Sequence, residues 1–464
     1  MTAGSPGEVK AEPRFLVPAV VFVGLVVAVV GSLGAPLITA VADQYDVSLA
    51  ASQWTLTIAL LSGAVATPVL GRLGSGPHRR RVILATLGIV VAGSALTVVP
   101  LPFVALLVGR AAQGVGLGLT ALMMATARDH LDERRAASTI ALLSVASTAG
   151  IGVGYPLAGA LTDAAGIRAA YAFGLVVTAM AFVAALAAVP QAPPRPRRPV
   201  DLPGAVLLTV GLLALLVVIS QTALWRQHTG WTVLTLVVSL ILLGIWGVVE
   251  SRVEHPLVDV RLLRHPAVAG ANLVMFTGGI GMYLLLSLIT RYVQTPASTG
   301  YGFGLNTFQA GLVLVPFSLA GFAAGKAMPR LRRRLSAATL LAASASTVLV
   351  AFVLFAVSRG QLAEPVVALT ILGLGVGAFS AAMPAVILAV TPKDETASAM
   401  GVNQVVRSIG FSIGSALAGI ILAAHTVTQF PDGSAYSTAA WIGAAITAAT
   451  ILLTAVVLRR TPTA

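Results

Sequence analysis

Long runs of apolar residues, separated by short polar segments, follow one another along the chain. Each run is about 20 residues long, the length at which an α-helix crosses the hydrocarbon core of a bilayer. Strands of a membrane barrel would be shorter and would alternate apolar with polar residues. The pattern predicts an all-α polytopic membrane protein with fourteen transmembrane helices, near residues 15–41, 53–72, 82–100, 103–127, 137–162, 169–189, 203–224, 231–249, 267–290, 306–325, 337–357, 365–390, 397–424 and 438–458.

The polar segment 71–82 fixes the orientation of these helices. It contains three consecutive arginines, Arg79 to Arg81, which are too costly to place in hydrocarbon. A short and strongly basic loop stays on the cytoplasmic side of the membrane. Alternation from this loop places most of the 29 Lys and Arg residues in inside loops. It also places both chain termini in the cytoplasm.

Two polar stretches divide the chain. Residues 191–200 are rich in Pro and Arg and are incompatible with a helix, and residues 250–265 form a second polar stretch. We therefore expect an N-terminal six-helix bundle in 1–190, a linker with two additional transmembrane helices in 191–265, and a C-terminal six-helix bundle in 266–464. Segment 325–334 repeats the glycine-and-arginine pattern of segment 71–81. Such repetition is typical of secondary transporters, although inside loops in general collect arginine.

The composition agrees with a membrane protein. Of the 464 residues, 57% are hydrophobic and 10% are charged, too few charges to cover a water-soluble protein of this size. The net charge of +13 is dispersed over short loops, which favours membrane lipids over nucleic acid as its partner. The absence of cysteine excludes thiolate metal sites and cysteine nucleophiles. We expect no metal and no cofactor. The excess of Arg over Lys indicates a bacterial genome rich in GC, and hence a bacterial inner (cell) membrane.

The loop after the second predicted helix carries the first of four motifs. Gly71, Leu73, Arg79 and Arg80 stand at the positions of the signature Gly-x-Leu-Ala-Asp-Arg-x-Gly-Arg-Arg, with Ser75 in place of its Asp. This signature is that of the major facilitator superfamily, which the loop resembles. The resemblance implies a cytoplasmic latch between two bundles, so Gly71, Arg72, Arg79 and Arg80 are expected in gating. The alternative is a basic loop that sets orientation alone.

The second motif lies in the fourth predicted helix. Arg110, Gln113, Gly114 and Gly116 are similar to the pattern Arg-x-x-Gln-Gly-x-Gly of that superfamily. Arg110 lies about two turns inside the helix, where its charge costs on the order of 3 kcal/mol. The resemblance implies that Arg110 couples transport to protons, with Gln113 one turn away on the same face. The alternative is that Arg110 binds backbone carbonyls of neighbouring helices.

The third motif lies in the fifth predicted helix, where Gly150, Gly154, Pro156 and Gly159 resemble the antiporter signature of the family. Small residues spaced by four let helices approach closely, and a buried proline bends a helix. Tyr155 separates Gly154 from Pro156, which departs from the Gly-Pro pair of the signature. The resemblance implies that these four residues form part of the gate.

The fourth motif lies in the thirteenth predicted helix. It contains Asn403, Gln404 and Arg407. Asn403 and Arg407 share one helical stripe with Gly410 and Gly414, and we expect this stripe to face the bundle interior. Arg407 is a candidate for a substrate-binding or gating charge, with helix packing as the alternative. Trp54 and Tyr155 complete the predicted substrate site, because sites of broad specificity are lined by apolar and aromatic side chains.

The acidic residues limit the substrate class. All sixteen Asp and Glu residues fall in loops or at helix ends, and Val27 stands where an alignment on Pro36 would place the family's buried Asp. Family members that export cations rely on buried acids, so neutral, lipophilic or anionic substrates are favoured. The proton carrier must be sought among Asp43, Asp129, Glu364 and His425.

Over nearly its full length the chain resembles the fourteen-span drug:proton antiporter family of the major facilitator superfamily. That resemblance implies a monomeric exporter of small lipophilic compounds that works by alternating access and is not an enzyme. No ATP-binding Gly-rich loop occurs in the sequence, so a gradient must supply the energy. Two alternatives stay open. One is an intramembrane lipid-modifying enzyme, for which residues 129–133 offer the one polar cluster, and the other is a transporter-like sensor that binds without translocating.

Overall fold

The computed structural model describes residues 15–34, 37–193, 201–220, 228–254, 256–258, 260–261, 265–426 and 430–457. Over these residues the long elements are α-helices. They are α1 Leu16–Ser32, α2 Ile38–Tyr45, α3 Leu49–Leu73, α4 Arg79–Val98, α5 Phe103–Val115, α6 Leu119–His130, α7 Glu133–Ala165, α8 Ile167–Ala188, α9 Leu202–Ser220, α10 Thr229–Arg252, α11 Pro266–Gln294, α12 Thr307–Leu331, α13 Ala337–Val357, α14 Ala363–Leu388, α15 Thr396–Ala424 and α16 Gly433–Val457.

Twelve helices in the described part of the chain are long and apolar enough to cross a membrane. A 3₁₀ turn at Gly116–Gly118 joins α5 to α6, and together they make one of these spans. The other two predicted spans correspond to α1, an apolar helix of 17 residues, and to α7, a helix of 33 residues. The all-α, polytopic architecture is therefore confirmed, while the count of fourteen spans stays a prediction.

Helix starts are set by local capping. Asn306 and Gln309 form a capping box at the start of α12, in which each side chain accepts a hydrogen bond from the other residue's backbone N–H. Ser48, Asp132 and Ser336 cap α3, α7 and α13 in the simpler way, with the side-chain oxygen accepting from a backbone N–H three residues later. Such caps satisfy N–H groups that a helix leaves unpaired.

The first predicted helix is shorter than expected. The sequence predicts 15–41, but α1 ends at Ser32 and α2 begins at Ile38. The break falls at Gly34, where an added Cβ would collide with the guanidinium of Arg110. Pro36, on which the motif alignment of this helix rested, lies outside the described residues.

The helices before the linker pack mainly on one another, as do those after it. α1 packs on α7 and α8, and α4 packs on α5 and α8, while α11 packs on α15 and α16 and α13 packs on α14 and α16. The two sets meet where α7 contacts α12 and α14, and where α15 contacts α3 and α6. The predicted boundaries 1–190, 191–265 and 266–464 stay a prediction, and residues 194–200 of the linker lie outside the described residues.

Helices α9 and α10 pack on each other, and α9 also packs on α3 and α15. Leu212 and Leu216 of α9 are buried against Leu61 and Ala64 of α3 and Val405 of α15. Because α3 and α15 belong to the two different halves, α9 covers one line of contact between them. Most of α10 faces outward, and its buried residues are Thr232, Ser239 and Glu250.

Candidate functional site

A cavity lies between the two halves. Its volume is about 40 Å³, and a single water needs about 10–15 Å³ on the same scale. The cavity thus has room for a few waters and is smaller than a drug-sized site. It is lined from the N-terminal half by Gly24, Val27, Ala28, Leu117, Thr120, Met124, Leu143 and Ser144, and from the C-terminal half by Met275, Ser380, Pro384, Met400, Asn403, Gln404 and Arg407.

Arg407 brings a positive charge to this cavity. It lies 11 residues after the start of α15, about 16 Å along a helix of 29 residues and hence near its middle. Its side chain is 7% exposed. The guanidinium carbon lies 5.6 Å from the centre of the Phe411 ring, which stacks on Tyr283 at 4.9 Å. Among the described residues, none forms a hydrogen bond or ion pair with the guanidinium, and no acidic residue lines the cavity.

The other predicted substrate residues divide into two groups. Asn403 and Gln404 line the cavity beside Arg407, and the Asn403 amide donates a hydrogen bond to Asn272 Oδ1 of α11 at 3.0 Å. Trp54 instead packs in the apolar cluster beneath α9. Tyr155 packs against the main apolar core and is not among the residues that line the cavity. The structure brings three of the five predicted residues together.

Arg110 is fully buried and joins three elements. Its Nε donates to the carbonyl oxygen of Thr55 at 3.0 Å, and its Nη1 donates to the carbonyl oxygen of Val30 at 3.2 Å and to Gln113 Oε1 at 2.6 Å. In turn, the Gln113 amide donates to Ser94 Oγ at 3.1 Å. Within the described residues Nη2 has no hydrogen-bond partner. These contacts tie α5 to α1, α3 and α4. They include backbone carbonyls of neighbouring helices, which are the partners expected if Arg110 has a structural role.

One end of the molecule carries the arginine-rich segments 72–81, 128–135 and 330–334 and is called the basic end here. Two sets of contacts join the halves at this end. Arg72 lies in the last turn of α3, and its Nη1 is 3.7 Å from Glu395 Oε1, with these side chains 4% and 12% exposed. Arg128, near the end of α6, donates to Thr396 Oγ1 at 2.7 Å and to the carbonyl oxygens of Leu388 and Thr391 at 2.8 and 2.9 Å. We call these two sets of contacts the basic-end latch.

The acceptors of Arg128 explain why it binds there. Leu388 is the last residue of α14, and the last carbonyls of a helix have no partner within the helix. They also carry the negative end of the helix dipole, which favours a cation. Arg128 therefore acts as a capping group supplied by the other half of the protein.

Arg79 and Arg80, two further residues of the predicted latch, bind groups of the N-terminal half. Arg79 Nη1 forms an ion pair with Asp129 at 2.5 Å and Arg79 Nε donates to the carbonyl oxygen of Gly74 at 2.6 Å. Arg80 donates to the carbonyl oxygen of Leu186 at 2.8 Å. Ser75, which replaces the acid of the family signature, donates to the carbonyl oxygen of Gly71 at 2.8 Å. These bonds hold the loop against α6 and α8.

Gly71 faces the other half. A Cβ at Gly71 would lie 3.0 Å from the carbonyl oxygen of Ala397, in the first turn of α15. That contact is tighter than side chains ordinarily make, so glycine lets α3 and α15 meet next to the Arg72 ion pair.

The glycines of α7 serve two neighbours. Gly150 and Gly154 meet α1, where Cβ atoms would collide with Ala28 and Ser32. Pro156 and Gly159 meet α12 of the other half. A Cβ at Gly311 would lie 2.9 Å from the Pro156 nitrogen, and one at Gly159 would lie 3.1 Å from the Phe308 Cα. Small residues thus allow the close approach of the halves along α7 and α12.

Three parts of the site escaped the sequence analysis. The first is Arg128, whose partners are mostly backbone carbonyls and therefore leave no mark in the sequence. Its position beside Asp129, at the end of an apolar run, was the available signal. The second is Asn272, the partner of Asn403. The third is the group of cavity methionines, Met124, Met275 and Met400. These side chains carry no charge that would distinguish them from other apolar residues in the sequence.

A helical membrane protein with a central cavity between two packed halves has the architecture of a secondary transporter. The family model described as Major Facilitator Superfamily matches residues 20–369 and 308–464. The chain belongs to the major facilitator superfamily, as its motifs predicted. Membership in a family of transporters indicates a transport protein rather than an enzyme.

Several relatives are similar to this chain over most of its length. An uncharacterized MFS-type transporter, YvkA of Bacillus subtilis, is 24% identical over 87% of this chain and 89% of its own. The drug efflux pump JefA of Mycobacterium tuberculosis is 26% identical over 82% of this chain and 74% of its own. A multidrug resistance protein B homolog of the same organism is 26% identical over 83% and 71%.

A solved structure confirms the fold. The human organic anion transporter MFSD10 (TETRAN) has a TM-score of 0.68 with this chain and 16% sequence identity. The match covers 95% of this chain and 99% of that protein. At this identity the likeness shows the fold alone.

Proposed function

We propose that the protein exports small lipophilic compounds, drugs or antibiotics among them, across the bacterial inner membrane by proton antiport and alternating access. The observation that carries the proposal is a central cavity between two halves whose basic end is shut by contacts of Arg72 and Arg128 with the opposite half. A cavity that can be opened at either end by rocking of the halves is what alternating access requires. The drug efflux pump JefA is among the relatives.

The proposal includes fourteen spans, with the basic end and both termini in the cytoplasm. Helix α7 is about 50 Å long by its 33 residues, enough to cross a bilayer, and its charges lie near its two ends. Helix α1 is apolar throughout and packs on α7 and α8. Adding these two helices to the twelve apolar spans gives fourteen. The positive-inside rule then orients the molecule.

The latch gives a route from closed to open. With Arg72 and Arg128 bound to the other half, the cavity is closed toward the basic end, so loading from the cytoplasm requires these contacts to break. Helix α3 would then separate from α15, and α6 from the end of α14. The glycines at 150, 154 and 159, with Pro156, would let α7 move against α1 and α12, which supports their predicted part in gating.

For proton coupling we retain Arg110 and Gln113, and we propose Asp129 as the proton carrier. The Asp129 side chain is 1% exposed and bonded to Arg79. It is also the neighbour in sequence of Arg128, so a change in its charge would be felt at the latch. Arg110 contacts amide and carbonyl groups in the structure. It would therefore influence a distant protonation site by changing the positions of the helices that it joins.

The residues proposed for a lipid-modifying enzyme have other partners. Asp129 pairs with Arg79, and Asp132 accepts the backbone N–H of Arg135 at 2.9 Å as the cap of α7. The two ring nitrogens of His130 lie 3.1 and 3.0 Å from backbone carbonyl oxygens. Within the described residues no group of three His, Asp or Glu side chains can hold a metal. The transporter proposal is therefore favoured over this alternative.

A vesicle experiment tests the proposed export. Inside-out membrane vesicles with the protein are energised by respiration and given N-phenyl-1-naphthylamine, a neutral lipophilic fluorophore. We expect accumulation in vesicles with the protein, collapse on addition of a protonophore, and no accumulation in vesicles from cells that lack it. Accumulation that survives the protonophore would contradict proton coupling. Binding without accumulation or counterflow would favour the sensor.

We propose that the protein is a monomer. Measuring the mass of the purified protein in nanodiscs tests this proposal.

A further inference from the structure

The two arginines buried within the helices differ in how their charge is satisfied. Arg110 donates three hydrogen bonds, to two backbone carbonyls and to Gln113. Arg407 is 7% exposed, yet no described residue accepts a hydrogen bond from its guanidinium. Burying a charge without a partner is unfavourable. Three donor contacts of Arg110 therefore have partners inside the protein, with Nη2 left unpaired, whereas the Arg407 guanidinium has no described partner and borders the cavity.

The protein offers Arg407 no anion of its own in the described part of the chain. No acidic side chain lines the cavity. Glu395 precedes Arg407 by twelve residues, about 18 Å along the helix axis, and lies against Arg72. The ring of Phe411 lies under the guanidinium, a contact that orients the group but does not neutralise its charge.

The surroundings of Arg407 are those of a binding site for an amphipathic molecule. The amides of Asn403 and Gln404 lie on the same side of the cavity as Arg407. Met124, Met275 and Met400 supply flexible apolar surface from both halves, and methionine adapts to ligands of different shape. A planar guanidinium with five N–H donors matches a carboxylate, sulfonate or phosphate group in charge and geometry.

We infer that the central cavity binds amphipathic anions, with the acidic group of the ligand paired to Arg407 and its apolar body against the methionines. This inference rests on the proposed function, because it takes the cavity as the transport site and names its substrate class. It changes the expectation from lipophilic compounds in general to lipophilic acids. It also assigns the α15 arginine to the ligand and not to helix packing.

The size of the cavity sets a condition on binding. A volume of about 40 Å³ is too small for a drug-sized ligand, so the anion enters only when the basic-end latch or the opposite end opens. Arg407 is near the middle of its helix, where it can be reached from either side in turn. An anion bound in the opened cavity would supply the partner that Arg407 lacks among the described residues.

The test compares three ligands with the same aromatic body: 1-pyrenebutyrate, neutral 1-pyrenebutanol and a cationic pyrenebutyl-trimethylammonium salt. Binding is measured by fluorescence anisotropy to the full chain in nanodiscs, with protein-free nanodiscs as the blank. The variants are Arg407→Gln and Arg407→Lys. Arg333→Gln is the matched control, because Arg333 is exposed near the end of the basic segment 330–334 and its replacement removes the same charge.

We expect wild type and Arg333→Gln to bind pyrenebutyrate at least about tenfold more tightly than pyrenebutanol, the scale of a charge-assisted hydrogen bond. Arg407→Gln should lose that advantage, and Arg407→Lys should keep part of it. The inference is overturned if wild type binds the alcohol or the cation as tightly as the acid, or if Arg407→Gln keeps the preference. If Arg407→Gln does not fold, the comparison of the three ligands on wild type decides.

The outcome separates this inference from the proposed function. Binding in nanodiscs needs no gradient. An anion preference in a protein that fails to move protons would leave the ligand assignment standing and overturn proton antiport. Proton-driven export of N-phenyl-1-naphthylamine with no anion preference would support proton antiport and overturn the ligand assignment.

Discussion

Arg128 Nη2 lies 2.8 Å from the carbonyl oxygen of Leu388, so an arginine of the N-terminal half caps the last helix turn of α14 in the C-terminal half. The same guanidinium reaches Thr391 and Thr396. One side chain therefore satisfies several groups at a place where two halves must part if the basic end is to open. Its loss should shift the protein toward a form open at that end.

Replacing Arg128 by alanine is the first test of the latch. Ser144, which lines the cavity, is changed to cysteine as a reporter in this cysteine-free chain. We expect labelling of Ser144→Cys by an impermeant maleimide, added from the basic end, to be about tenfold faster with Arg128→Ala, because charged hydrogen bonds contribute about 1.5–3 kcal/mol. Arg333→Ala is the control for charge alone. Equal labelling rates with Arg128→Ala and with Arg333→Ala would show that Arg128 does not hold the gate.

The ion pair of Arg72 with Glu395 gives a second, independent prediction. Either single reversal, Arg72→Glu or Glu395→Arg, places like charges together at a site that is 4% and 12% exposed, and should speed labelling of the same reporter. The double reversal should return the rate toward that of the unchanged chain, since coupling between two side chains appears as non-additivity. Additive effects in the double variant would mean that the two residues do not interact across the gate.

The substitution Arg110→Ala distinguishes a role of Arg110 in proton coupling from a purely structural role. The substitution removes the donor from the carbonyls of Val30 and Thr55, so we expect a loss of stability of about 1–3 kcal/mol, because these buried acceptors are left unpaired. If Arg110 also couples protons, export driven by an imposed ΔpH should be abolished while counterflow down a substrate gradient persists. The two fluxes are measured in the same proteoliposomes. Intact ΔpH-driven export would remove Arg110 from the coupling mechanism.

Gly311→Val probes the contact between the halves. A Cβ at this position would lie 2.9 Å from the Pro156 nitrogen, and overpacking of this kind costs about 1–3 kcal/mol. We expect a lower unfolding temperature and slower transport. The matched control is Gly88→Ala in α4, where an added Cβ meets nothing within 4 Å and where alanine should stabilise the helix by about 0.5–1 kcal/mol. Similar melting shifts for the two variants would contradict the role assigned to Gly311.

The fold was largely predictable from the sequence, because apolar runs of bilayer length leave few alternatives to helices. The motif glycines were also predictable as contact residues. The break after Ser32 was not, and the need for glycine at Gly34 depends on Arg110, a residue far away in the chain. The same holds for the 3₁₀ turn at Gly116–Gly118.

The parts of the site formed by side chains were predictable from the sequence, whereas the parts formed by backbone groups were not. The shared stripe of Asn403 and Arg407 follows from helical spacing, and the structure places both at the cavity together with Gln404. Trp54 was chosen for its chemistry alone, and it packs beneath α9, a helix whose position the pattern of apolar residues does not determine. The partner of Arg128 is a helix end, so only the packing of α6 on the C-terminal half could show it.

The reciprocal flux of protons tests the central claim most directly. Purified protein is reconstituted in liposomes that contain pyranine as an internal pH indicator, with no imposed pH gradient and with the membrane potential clamped. An inward gradient of 1-pyrenebutyrate or N-phenyl-1-naphthylamine is then applied. Antiport predicts that entry of a transported ligand drives protons out and raises the internal pH in proportion to flux, an effect absent from protein-free liposomes and from Arg110→Ala. Uptake through the protein with no accompanying rise in internal pH would contradict the account.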